Sequence, residues 1–193
     1  MRRICVFCGS SAGSNPAYAE AARAMGRELV ARGMGLVYGG GHVGLMGVIA
    51  DAVLEAGGEA IGVIPHALAA REIAHQRLTT LHVVASMHER KAMMADLADA
   101  FVAMPGGFGT YEELFEAITW TQLGLHKKPC GLLNVAGFFD PVVGFIDHAV
   151  AEKFIRPQHR AVLLVESEPA RLLDALQAVT LPEVPKWIRP DET

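Results

Sequence analysis

Seven short apolar runs alternate along the chain with longer stretches in which apolar residues recur every three or four positions. The runs are RICVFCG, MGLVYGG, EAIGVIP, LTTLHVV, AFVAMPG, PCGLLNV and AVLLVES, and their length and apolar, β-branched content predict strands. Between them the helical period predicts helices over Pro16–Arg32, Gly44–Ala56, Met87–Ala100, Thr110–Gly124, Phe138–Lys153 and Pro169–Ala178. Strands that are apolar throughout suit a parallel sheet covered on both faces. The expected architecture is α/β, a Rossmann-like doubly wound parallel sheet forming a single domain over residues 1–180. Residues 181–193 read as a proline-rich tail, with Trp187 as an anchor on the body or on a second subunit.

In doubly wound sheets ligands bind beyond the carboxyl ends of the strands. Three loops there are rich in small residues: CGSSAGSN, YGGGHVGLMG and MPGGFGT. Gly39 to Gly44 satisfies G-x-G-x-x-G, yet the next strand ends in Pro65 and His66 where a dinucleotide site wants an acidic residue, which disfavours NAD. Those glycines either bind phosphate or only let a helix pack tightly on a strand. PGGFGT lacks the lysine of a Walker loop, so what remains is a nest of backbone N–H groups ahead of a helix, suited to a single phosphate without lysine or magnesium. Thr110 and Glu113 have capping-box spacing, and spacing alone favours Glu113 as a cap, as it does Glu89 in SMHE. Arg90 is harder to explain. It opposes the helix dipole in a first turn and falls on the apolar stripe Met87, Met94, Leu97, Phe101, so it points inward and needs an anion.

Composition narrows the choice. A net charge of −4 and a pI near 6.0, with no basic stripe, exclude nucleic acid as the expected partner. The apolar run at the N-terminus is too short for a signal peptide or a membrane span, giving a cytoplasmic expectation. Cys5, Cys8 and Cys130 form no disulfide framework, and the C-x-x-C pair lies in a strand, where it reads as inert packing. Eight histidines include no H-E-x-x-H and no clustered Cys/His spacing, and there is no G-x-S-x-G elbow. No metal and no cofactor is therefore expected. A hydrophobic content of 51% and mean hydropathy of +0.28 point to a surface hidden in an oligomer.

Read as one block, SMHERKAMMADLADAFVAMPGGFGTYEELFEAITWTQLG resembles the Lonely Guy family of cytokinin-activating phosphoribohydrolases, whose signature pairs an Arg-Lys step with P-G-G-x-G-T-x-x-E one strand later. The resemblance runs from CVFCGSSAG through YGGGHVGLMG to KPCGLLNVAGFFDP. It implies hydrolysis of the N-glycosidic bond of an adenosine 5′-monophosphate, N6-substituted or plain, by a homodimer, with Arg90 and Glu113 catalytic. Glu72, Lys91, Gly107, Phe108, Gly109, Thr110 and Thr119 match the family's nucleotide-binding positions, and Gly106, Ser10, Gly40 and Gly41 complete the expected substrate contacts from the three small-residue loops. Two rivals stand beside this reading. One is a non-hydrolytic nucleotide or cofactor carrier. The other is a PLP-dependent lysine decarboxylase with Lys91 as the Schiff-base residue, a label that similar sequences have carried.

Overall fold

In the first strand, β1 (Arg3–Phe7), Ile4 and Val6 enter one apolar cluster and Cys5 and Phe7 another on the opposite face, and all four are buried. A strand with no solvent face needs helices on both sides. The computed structural model, which describes residues 1–69 and 74–181, supplies them. In chain order the elements after β1 are α1 (Pro16–Ala31), β2 (Gly35–Tyr38), α2 (Gly44–Glu55), β3 (Ala60–Pro65), α3 (His66–Ala69), β4 (Thr80–Val84), α4 (Met87–Leu97) and β5 (Ala100–Ala103). Then come α5 (Phe108–Gln122), β6 (Cys130–Leu133), a 3-10 turn at Val135–Gly137, α6 (Asp140–Ala151), α7 (Pro157–Arg160), β7 (Leu163–Glu166) and α8 (Pro169–Ala178).

All seven strands form one parallel sheet in the order β4-β3-β2-β1-β5-β6-β7. Helices α1, α2 and α8 bury their apolar stripes on one face, and α4, α5 and α6 on the other. The stripe of α1, Ala22, Met25, Gly26 and Leu29, has the spacing of one helix face, and Asn15 starts the helix by accepting the Ala17 N–H at 3.0 Å. The strand order reverses between β1 and β5, so the loops leaving those two strands flank the crevice where such folds bind ligands.

The expected doubly wound architecture is present, with differences at its boundaries. Helix α4 stops at Leu97 rather than Ala100, because the Asp99 carboxylate accepts the backbone N–H groups of Arg2 and Arg3 while its own N–H donates to Arg3 O. Those bonds draw the chain into β5, and Phe101 of the predicted helical stripe is a strand residue. Helix α5 begins two residues before Thr110. Strand β4, predicted to be covered on both faces, is a half-exposed sheet edge. Among the described residues no helix is long and apolar enough to cross a membrane. Glu72 and residues 182–193, including Trp187, lie outside the described residues.

Candidate active site

The two loops at the switch point are stitched together, with the Gly9 N–H donating to Pro105 O at 3.0 Å. Beside that bond, a Cβ on Gly106 would stand 2.1 Å from Thr110 Oγ1, so only glycine lets the loop close over the buried threonine. Gly107 then serves as N-cap of α5 without any side-chain cap bond, and the Tyr111 N–H is the one that turns back to Gly107 O. The amides ahead of it have no acceptor within the helix, and a helix start of this kind is a nest suited to an anion. Beside this nest opens a cleft of about 320 Å³ walled by the Gly9–Gly13 loop, Tyr18, Leu45, Pro105, Gly106, Gly107 and Phe138. Ser10, Gly106 and Gly107 line this cleft together. Phe108 is not among the residues that wall this cleft and is 94% exposed.

The loop Gly39 to Gly44 behaves differently. Its helix α2 offers the Leu45 and Met46 N–H groups to Gly9 O, at 3.0 and 3.4 Å, so those donors are engaged in joining loop to loop. Gly40 O accepts the His75 N–H, and Gly41 forms an isolated antiparallel bridge with Ala74. Close packing, one of the two readings of this motif, describes its geometry.

Arg90 does point inward. Its Nε donates to Val63 O at 3.0 Å and its NH2 to Gly39 O at 3.1 Å, so the carboxyl ends of β3 and β2 hold two sides of the guanidinium. The third side faces Glu113, with NH1 3.8 Å from Oε1, and both side chains are buried, 8% and 12% exposed. At that separation the pair is coulombic rather than hydrogen-bonded, and NH1 donates instead to Met87 Sδ at 3.8 Å. Burial pushes the Glu113 carboxyl up to about 7, against the pull of the Arg90 charge. Such a group changes charge near neutrality.

Glu113 is the sixth residue of α5 and makes no cap, which corrects the capping-box reading; the box fails because the helix starts at Phe108. The same reading holds at α4, where Ser86 Oγ accepts the Glu89 N–H at 3.1 Å, although Glu89 reaches back one residue further, to the Ala85 N–H at 2.8 Å.

The Lys91 ammonium pairs with Glu112 and, at 3.0 Å, Glu116 on α5, and its charge also acts to lower the Glu113 pKa. Burial alone would lower the lysine's own pKa, but the two carboxylates outweigh burial and raise it. A Schiff-base lysine needs the opposite, a neutral amine, so these residues do not fit PLP. Thr119 lies on an exposed face of α5, its hydroxyl donating to Phe115 O at 2.7 Å, and is not gathered with Glu113 in this chain. The cysteines are free and buried, and burial raises all three thiols, Cys130 to about 12, which agrees with inert packing.

Sequence reasoning saw Gly39 only as part of a glycine motif and missed its tie to Arg90. A Cβ there would sit 2.0 Å from Arg90 NH2, so the residue is glycine for the arginine's sake. It also found no clustered metal-type ligands, whereas the fold brings His42, Asp51 and His75 within 4.8 Å of one another. No local spacing could reveal that group.

The site thus belongs to a doubly wound α/β protein with an anion nest and a buried arginine-carboxylate pair at its switch point. Residues 46–176 match the family described as "Possible lysine decarboxylase". The cytokinin riboside 5′-monophosphate phosphoribohydrolase of Oryza sativa subsp. japonica is 55% identical over 163 residues, 84% of this chain and 67% of the relative. One of Arabidopsis thaliana is 52% identical over 176 residues, 91% of this chain and 81% of the relative. The chain belongs to this family, the Lonely Guy phosphoribohydrolases. Among solved structures, the molybdenum cofactor carrier protein of Chlamydomonas reinhardtii shares the fold, with a TM-score of 0.70 at 23% identity over 91% of this chain and 96% of the other.

Proposed function

We propose that the chain hydrolyses the bond between C1′ and the purine nitrogen of adenosine 5′-monophosphate, plain or N6-substituted, giving free base and ribose 5-phosphate. The observation that carries this reading is the buried Arg90–Glu113 pair on the helix that leaves the anion nest. A phosphate in the nest anchors the nucleotide at the start of α5, and Glu113 lies one to two turns further along the same helix, about 8 Å by helical rise. Cleavage sends the bonding electron pair to the base and leaves positive charge on the sugar. The Glu113 carboxylate stabilises that charge and takes a proton from the attacking water, whose oxygen bonds to C1′, while the departing purine takes up a proton. Of three roles open to Arg90, holding the phosphate, assisting the purine or fixing the glutamate, the geometry favours the last, because two sides of its guanidinium are committed to Val63 O and Gly39 O.

The family relationship and the surface of α5 support a homodimer. Phe108, Phe115, Leu123 and Leu125 expose apolar area on and just after this helix, and Thr119 lies among them, where a second copy could use it. The setting is cytoplasmic, in line with the three free thiols.

Chromatography of AMP and N6-isopentenyl-AMP after incubation with the enzyme tests the activity. Free base and ribose 5-phosphate are expected. Tight nucleotide binding with no base release would overturn the hydrolase and favour a carrier.

A further inference from the structure

We infer that His75 is a positioning residue for Arg90, stapling the chain ahead of β4 onto the loop whose carbonyl holds the arginine. His75 lies in irregular chain yet is 3% exposed. Its backbone N–H donates to Gly40 O at 3.1 Å, next to the Gly39 carbonyl that accepts from Arg90. Both ring nitrogens are engaged as well. Nδ1 accepts the Arg77 N–H at 3.2 Å, and Nε2 lies 3.1 Å from Asp51 Oδ1 on α2. A nitrogen that accepts must carry the lone pair, which assigns the proton to Nε2 and makes it a donor to Asp51. The Arg77 guanidinium takes the same carboxylate oxygen. Around this core Ala74 bridges Gly41, and the His42 ring meets His75 edge-on at 5.4 Å between centroids.

His42, Asp51 and His75 are also residue types that bind cations. A cation on Nε2 would move the ring proton to Nδ1, where the Arg77 N–H already points, and would share the Asp51 oxygen with a guanidinium. The cluster is therefore a hydrogen-bonded staple. Its consequence reaches Arg90 because Gly39 has no slack: the carbonyl lies 3.1 Å from NH2, and even a methyl group on the α-carbon would collide with it. Releasing the neighbouring Gly40 lets that carbonyl drift, and with it the guanidinium that faces Glu113.

The kinetic part of the test depends on the hydrolase reading, and the exchange part does not. His75→Ala, His75→Gln and wild type are compared by backbone deuterium exchange and by kcat and KM for AMP, at a temperature well below melting. In His75→Ala, exchange in the segment 39–44 is expected to rise about tenfold while that in β6 stays unchanged. Its kcat should fall about tenfold or more, with a smaller change in KM. Glutamine, which can still donate to Asp51, should restore most of both. A lowered melting temperature with wild-type kcat and unchanged exchange at 39–44 would overturn the proposal. If His75→Ala does not fold, Asp51→Ala removes the acceptor from the half-buried side and should give the same local exchange; normal exchange there overturns it too. Should wild type hydrolyse no nucleotide, the activity reading fails, and exchange at 39–44 still decides the staple.

Discussion

Replacing Glu113 with glutamine should stabilise the protein and disable it, in a way that depends on pH. The carboxyl titrates near 7 in the folded chain against an ordinary 4.5, chiefly because it is buried. A shift of that size corresponds to about 3 kcal/mol. The native state binds this proton more tightly than the unfolded chain, so the contribution is fully present below pH about 4.5 and lost as pH rises through about 7. Glutamine has no such titration and resembles the protonated acid in shape and neutrality. At pH 5 the two proteins should be close to equal in stability. At pH 8 the variant should be ahead by about 3 kcal/mol, or roughly 6–12 °C in Tm for a chain of this size. Calorimetry from pH 5 to 8 at fixed protein concentration measures the difference, concentration being held because an oligomer's Tm depends on it. Over the same range kcat should be about 10²-fold or more below wild type, since the amide neither accepts a proton nor faces the sugar with charge. A stability difference that does not change with pH would refute the buried, proton-holding Glu113, and near-normal turnover would refute its role in the chemistry.

Other outcomes follow from the same geometry. With the carboxylate as the proposed working form, kcat/KM of wild type should rise through pH about 7 and level above it, read from initial rates with AMP; a profile falling through that range would make the protonated acid the working form. Arg90→Lys should recover little of the activity lost in Arg90→Ala, because an ammonium cannot span Val63 O, Gly39 O and Glu113 together, and full recovery would reduce the arginine to a charge. Removing the 5′-phosphate should lower kcat/KM by about 10²-fold or more, measured with adenosine against AMP, and equal rates would empty the nest of its role. Light scattering should give twice the 20.7 kDa chain mass, and an active monomer would remove the second copy from the site.

The strands were legible because each is apolar on both faces, as Ile4, Cys5, Val6 and Phe7 are, and a short run of that kind fits little besides a buried parallel sheet. Helix ends were less so. Thr110 looked like a cap because Glu113 follows it at capping-box spacing, yet the chain turns helical from Phe108, among glycines of low helix propensity, where the close contact of Gly106 with Thr110 fixes the loop. The end of α4 was hidden for another reason: Asp99 bonds to Arg2 and Arg3, almost a hundred residues away in sequence.

The candidate site divides along the same line. Arg90 could be recognised as inward and unusual from its place on an apolar stripe, and the fold then supplied two carbonyls and a glutamate where one anion was expected. What holds the arginine was not legible, because Gly39, Val63 and Glu113 come from three different elements and meet only when the sheet forms. Gly39 is instructive. Its motif invited a dinucleotide reading, but the absence of a side chain there is required by Arg90 NH2, which would stand only 2.0 Å from a Cβ at this position. A glycine in a loop that carries a ligand-binding motif can thus be fixed by the protein's own arginine, and Gly39→Ala should lower kcat by displacing Arg90 while leaving the α5 nest as it is.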